Sequence, residues 1–394
     1  MVYFSRLILR RSRQVLKHHK SILERHLSSV TATESSAVES HANFDVKCSE
    51  QNPGNQTSSH VREYYTIPKE TVTTLFSHGL PKPPFLDEVK TLGEFNIMIR
   101  QPAISILESI KSDESGASKY VIYGQDGCGK TMTLSHVLHN CFLKEWLILF
   151  IPSVFKIVFS KQNILPSPHN PERFDQPDEA LTWLKMFQTL NGKHLPQIKT
   201  SKDYKVSQKI SIDAGSRIST VIDQAFHRPN FATDAVGITL REVQRLSSRM
   251  PVLFAADEFN GFFWKTSLKN PETNDWLKPR DLSMVHHFRK LFIQKSSLGR
   301  GSYVLALSRI GMEKAFCSSY NHVHLLSQQG LSLIGSYEPV QVCEYDNDEL
   351  MQGLKYYKLK GLFSRDFNHS QTFQEVAFLT DRRPSLVQKI CFSY

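Results

Sequence analysis

The chain has 394 residues, 40% of them hydrophobic and 22% charged, and a formal charge of +10, the make-up of an ordinary globular protein long enough to bury a sizeable core. No apolar run approaches the roughly eighteen residues of a membrane-spanning helix, so no membrane span is expected. Cys48, Cys128, Cys141, Cys317, Cys343 and Cys391 show no paired short spacing, which speaks against a zinc site or a disulfide framework and for a reducing compartment.

Residues 1–30 set Arg6, Arg10, Arg11, Arg13, Lys17, Lys20 and Arg25 against the single acid Glu24. Phe4, Leu7 and Ile8 fall at helical spacing among them, the pattern of a mitochondrial transit peptide; a basic tail or nucleic-acid arm is the alternative. Residues 31–61 are polar and aperiodic and read as a disordered linker. Residues 62–100 are richer in aromatics and proline and read as an arm lying on the fold.

From residue 101 to 345 the pattern alternates. Strands are expected at "KYVIYG" (119–124), "WLILFIP" (146–152), "PVLFAADE" (251–258) and "YVLALSR" (303–309), with a fifth at "PVQVCEY" (339–345). Between them lie helical patterns over 130–145, around "PDEALTWLKMFQTL", around "GSRISTVIDQAF" and "TDAVGITLREVQRLS", and over "RDLSMVHHFRKLFIQ", where Asp281 is available as a cap. Continuous apolar strands alternating with helices predict an α/β fold, a parallel sheet covered on both faces. Residues 346–394 are helical in pattern and would form a small lid.

"GQDGCGKT" (124–131) follows the first of these strands and opens a helix, the context a phosphate loop requires. Gly124, Gly127 and Gly129, with Gln125, Asp126 and Cys128 between them, would turn successive N–H groups toward phosphate oxygens. Lys130 would reach the β- and γ-phosphates and the Thr131 hydroxyl would ligate magnesium. Asp257, leaving a buried strand, is the candidate to hold that Mg through water, and Glu258 beside it is a candidate general base. Ser308 stands where an extra strand between loop and acid would place a sensor of the γ-phosphate. Cys128 lies near a helix N-terminus, where a thiol pKa falls, although a small residue filling a variable position is the plainer reading.

Arg382 and Arg383 in "TDRRPSL" open the last helix and resemble a lid arginine. The stretch Lys193–Arg217 carries six basic residues against Asp203 and Asp213, with Tyr204 among them; it reads as a solvated basic loop or as an RNA contact with a ring for stacking. An Asn-Lys-x-Asp motif for guanine is absent. The base must then be read elsewhere, with Met98 and Arg100 of "NIMIRQPA" (96–103) as candidates, and motifs alone leave ATP and GTP open.

Taken together, "YTIP", "HGLP", "MIRQPA", "YGQDGCGKT", "WLILFIP", "RFDQPDEALTWLK", "ATDAVGITL", "TSLK" and "LALS" resemble the death-associated protein three family of the mitochondrial small ribosomal subunit, from about Tyr64 to the C-terminus. The resemblance implies an AAA+-like fold, bound GTP or GDP with Mg, and a place in the subunit head in the mitochondrial matrix, among ribosomal RNA and neighbouring small-subunit proteins. It also implies a protein that is not a homo-oligomer. Not every member of the family shares the acid after the strand-end Asp, so Glu258 leaves slow GTP hydrolysis open. Two functions compete: nucleotide as a structural part of a ribosomal protein, or an active AAA+ NTPase coupling hydrolysis to assembly or to apoptotic signalling.

Overall fold

A computed structural model describes residues 46–77, 83–112, 116–159, 163–207, 210–293, 297–309, 312, 319–365, 367 and 370–392. The presequence expected over 1–30 and residues 31–45 of the expected linker lie outside the described residues. Residues 46–61 are not a free linker. Cys48 and Gln56 are buried, and the Gln56 side-chain amide donates to the Glu50 carbonyl at 2.9 Å. The polar content that reads as disorder is here engaged in local turns.

The arm consists of β1 (Tyr64–Ile67), α1 (Lys69–Leu75), α2 (Pro83–Leu92) and β2 (Phe95–Met98). Strands β1 and β2 pair antiparallel, with Tyr64 opposite Met98. The domain then runs through α3 (Gln101–Ser112), β3 (Ala117–Tyr123), α4 (Lys130–Leu143), β4 (Leu147–Ile151) and α5 (Val154–Phe159). A hairpin of β5 (Leu165–Ser167) and β6 (Asn170–Asp175) leads to α6 (Pro177–Leu190). A second hairpin, β7 (Tyr204–Ser207) and β8 (Ile210–Ile212), precedes α7 (Ile218–His227) and α8 (Ala232–Leu246). The order closes with β9 (Val252–Ala256), α9 (Ser283–Lys290), β10 (Gly301–Ala306), α10 (His322–Ile334) and β11 (Glu338–Gln341).

Five of these strands form one parallel sheet in the order β11-β3-β10-β9-β4. Every residue of β4 and β9 is buried, as a strand covered on both faces demands. The expected extra strand is β10, inserted between β3 and β9. Helix α10 falls in a stretch whose sequence suggested no element, and its first turn is capped by the Asn321 side chain, which accepts from Val323 N.

Two local expectations need correction. Asp281 does not cap α9: its carboxylate accepts from Lys278 N at 2.7 Å and closes its own 3-10 turn, while α9 begins at Ser283 with no side-chain cap. The Lys193–Arg217 segment is largely structured around the β7–β8 hairpin, and Tyr204 is buried with its hydroxyl donating to Glu242 at 2.8 Å. That ring is packed in the core rather than displayed on a solvated loop.

The C-terminal helices are α11 (Asn347–Leu359), α12 (Ser370–Thr380) and α13 (Pro384–Cys391). "DNDE" is a capping box: Asp346 accepts from Glu349 N at 2.6 Å and Glu349 accepts from Asp346 N at 3.0 Å. Leu350, Leu354, Val376 and Val387 pack with Tyr64 and Met98 in a hydrophobic cluster of their own, so these helices rest on the arm. Among the described residues no helix is long and apolar enough to cross a membrane.

Candidate functional site

The loop between β3 and α4 is shaped by two close approaches. At Gly124, with φ +141, a Cβ would stand 2.1 Å from the Val342 carbonyl oxygen beyond β11. At Gly127, with φ +88, it would meet the Ser385 hydroxyl at 2.1 Å. The glycines therefore let the loop pass under the last strand and against the last helix at once. Within the loop, Lys130 Nζ donates to the carbonyls of Gly124 and Gln125, both at 2.7 Å, and lies 3.8 Å from Asp126. Such a lysine is stored on the loop it would leave for a phosphate.

Thr131 Oγ1 donates to Asp257 Oδ2 at 2.6 Å. The two hard oxygen donors expected for magnesium are thus together, although their residues lie far apart in sequence; this is a fit for a hydrated Mg²⁺. Asp257 is fixed by its backbone, its N–H donating to Ile151 and its carbonyl accepting from Val154 N.

Glu258 goes elsewhere. It adopts the left-handed region at φ 59, its carboxylate accepts the Ser153 hydroxyl, and it does not line the cavity beside the loop. Ser308 does line that cavity, and Asn260 clamps its backbone, accepting from Ser308 N at 2.9 Å and donating to Ser308 O at 2.8 Å. Arg309 forms an ion pair with Asp126 on the loop at 3.1 Å. Neither Asn260 nor Arg309 has a sequence signature.

The cavity is about 300 Å³ and is lined by Asp126 to Thr131 of the loop together with Tyr64, Phe85, Met98, Tyr345 and Tyr357. That is the low end of the range for small-molecule sites, with the apolar lining such sites have. Gly124 and Gln125 are not in its wall and serve through their carbonyls. Arg100 lies at the edge with its fork already used: it pairs with Glu349 at 2.8 Å through both Nε and Nη2, and Nη1 donates to the Cys128 carbonyl at 2.8 Å. Burial opposes its charge, but the hydrogen bonds and charge of Glu349 prevail and raise its pKa. Arg100 thus holds the loop in place from the arm.

Cys128 is not activated. Burial, then the charge of Glu344, pushes its thiol up to about 12, against weaker pulls from Lys130, Arg100 and Arg383. Arg382 and Arg383 are not in the cavity wall; Arg382 offers its carbonyl to Tyr345 N at 2.9 Å and Arg383 precedes the first turn of α13. The C-terminal helix contributes Ser385, Gln388 and Lys389 instead, and Ser385 N donates to the Gly127 carbonyl at 3.1 Å.

Strand order, loop and acid together place the chain among phosphate-loop-like α/β proteins, in the class with an added strand between loop and acid. Its family is narrower than that class. Residues 97–390 match the family described as mitochondrial ribosomal death-associated protein 3, and the chain belongs to it. It is 34% identical to the small ribosomal subunit protein mS29 of Mus musculus over 93% of this chain and 94% of that protein. The mS29 protein of Bos taurus is likewise 34% identical, over 87% of this chain and 86% of its own length. Among solved structures, a Walker-type ATPase of Pyrococcus abyssi aligns with 75% of this chain and 66% of its own at 14% identity and a TM-score of 0.43.

Proposed function

We propose that this chain is a component of the mitochondrial small ribosomal subunit, in the matrix, and holds a magnesium guanine nucleotide as a structural part of its AAA+-like fold. The ribosomal reading is carried by family membership and by the near full-length likeness to mS29. A place in the subunit head, among ribosomal RNA and unlike protein neighbours, belongs to the same proposal. The nucleotide reading is carried by one observation: the phosphate loop is hydrogen-bonded from both sides, by Arg100 of the arm to Cys128 and by Ser385 of the C-terminal helices to Gly127. A ligand on that loop would tie three parts of the molecule together. Met98 and Arg100 belong to the site on this reading, Met98 as cavity wall and Arg100 as the brace of the loop.

On binding, the Lys130 ammonium would exchange two loop carbonyls for phosphate oxygens. Thr131 and Asp257 would hold the hydrated Mg²⁺, which neutralises phosphate charge, and Ser308 would face the terminal phosphate. Turnover asks for more, namely a base at the water and a positive charge on the leaving oxygens. Glu258 is engaged with Ser153 outside the cavity wall, so retention is favoured over hydrolysis.

The test is a melting curve of the full chain with and without Mg-GTP. At about a hundredfold excess over Kd the ligand should add about 2.7 kcal/mol of stability, and Lys130→Ala should abolish the gain. Equal melting of wild type with and without nucleotide would defeat the proposal.

A further inference from the structure

The wall of the cavity beside the loop contains a carboxylate that no motif announces. Glu88, on α2, is 5% exposed and lines the cavity. Gln388 Nε2 donates to its Oε2, while Tyr357 and Tyr356 donate to Oε2 and Oε1 at 3.3 and 3.4 Å. Both tyrosine bonds are long for O–H···O contacts, and Oε1 receives only one of them. Two carboxylate oxygens offer about four acceptor sites, so the group can accept more. Among the described residues no Lys or Arg stands within ion-pair distance of it.

Its place relative to the loop suits a nucleoside. Ser385, bonded to Gly127, and Gln388, bonded to Glu88, are one turn apart on α13, a rise of about 5 Å. The same helix therefore touches the phosphate end and Glu88. Met98 lines the same cavity. Tyr64 spends its N–H on Val46 and its carbonyl on Cys48, so the Tyr64–Met98 pair is one that exchanges no bonds across the ladder, and the Met98 amide and carbonyl face the other edge of β2.

We propose that Glu88 is the residue that selects guanine, its carboxylate accepting N1–H and the 2-amino group while the Met98 amide on the edge of β2 is placed to donate to O6. This rests on the nucleotide reading above and adds the source of its base specificity. The chemistry discriminates because an ionised carboxylate only accepts. Guanine presents two adjacent donors to it. Adenine presents the N1 lone pair, leaving a buried charge facing another acceptor, an expensive arrangement. Burial raises the Glu88 pKa to about 7 against the hydrogen bonds of Gln388, Tyr357 and Tyr356; two further donors from a base would favour the ionised form. The acid that an Asn-Lys-x-Asp motif would have supplied comes instead from a helix of the arm.

Competition binding on the full chain, with Mg²⁺ and a fluorescent guanine diphosphate as reporter, tests this using GTP, ITP, ATP and XTP. Wild type should prefer GTP over ITP, which lacks the 2-amino donor, and over ATP, by about ten- to hundredfold in each case. Glu88→Gln should weaken GTP by a similar factor and strengthen XTP, whose 2-oxo group accepts from the new amide; the gain for XTP also shows that the variant is folded. Wild type binding GTP and ATP equally, or Glu88→Gln leaving GTP unchanged with no gain for XTP, would overturn the assignment while leaving nucleotide binding intact. Failure of the wild type to bind the reporter at all would overturn both.

Discussion

Replacing Arg100 by alanine removes a side chain that joins the arm, the phosphate loop and the C-terminal helices. The Arg100 and Glu349 side chains are 10% and 9% exposed, and two bonds of 2.8 Å join them. A third bond of 2.8 Å reaches the Cys128 carbonyl, and longer ones of 3.2 and 3.3 Å reach the carbonyls of Cys343 and Glu344. Removing one partner of a buried pair costs about 3–5 kcal/mol, because the other charge stays buried. Glu349 would keep the bond from Asp346 N, which places the expectation toward the lower end of that range. Removing both charges, as Arg100→Met with Glu349→Met, should recover much of the loss, leaving the unmet loop carbonyls and the lost cap at about 1–2 kcal/mol. Urea unfolding followed by tryptophan fluorescence measures both. A single variant less than about 1 kcal/mol below wild type, or a double variant worse than the single, would refute a bridging role for Arg100.

Three further outcomes are expected. His136 and His139 are buried against Tyr65 and held neutral, burial and then mutual charge lowering His136 to about 3 and burial lowering His139 to about 4, from 6.5. The unfolded chain therefore binds more protons below 6.5, and stability should fall on acidification from pH 7 to 5.5, by at most about 1.4 kcal/mol per histidine per pH unit. His286 and His287 add the same sign, while Glu88, raised to about 7, has the opposite one. Replacing His136 and His139 by leucine should flatten the slope of melting temperature against pH, and an unchanged slope would contradict it. Gly124→Ala forces a Cβ to 2.1 Å from Val342 O at φ +141; backbone strain of about 1–3 kcal/mol and displacement of β11 should lower the urea midpoint, and a wild-type midpoint would mean the loop is differently shaped. N-terminal sequencing of the mitochondrial protein should start beyond about residue 20; an intact Met1 would refute the presequence.

The parts of the fold that sequence reveals are those whose physics is local. Strands β3, β4 and β9 are short apolar runs with turn residues at their ends, and the loop from Gly124 to Thr131 carries its own spacing. The partnership of Thr131 with Asp257 follows from those elements, because a parallel sheet brings its C-terminal strand ends together. What stayed hidden depends on residues distant in sequence. Arg100 and Glu349 are separated by 249 positions, and Glu349 announces only a capping box. Glu88 sits in a helix of mixed polarity whose burial is decided by Tyr356, Tyr357 and Gln388 from the other end of the chain. Tyr204 misled because lysines surround it in sequence while Glu242, on a packed helix, takes its hydroxyl. Glu258 follows Asp257 directly, yet its left-handed backbone points it toward Ser153, a conformation that residue type does not foretell.

Whether the proposed nucleotide is a part or a fuel is decided most directly by following Lys130→Ala and Glu258→Gln into the mitochondrial small subunit. Each variant would be expressed in place of the wild-type chain, and its share in the small-subunit peak of a sucrose gradient measured. A structural nucleotide predicts that Lys130→Ala is depleted from that peak while Glu258→Gln enters it at the wild-type level. Depletion of Glu258→Gln together with loss of measurable hydrolysis, or normal entry of Lys130→Ala, would contradict the account.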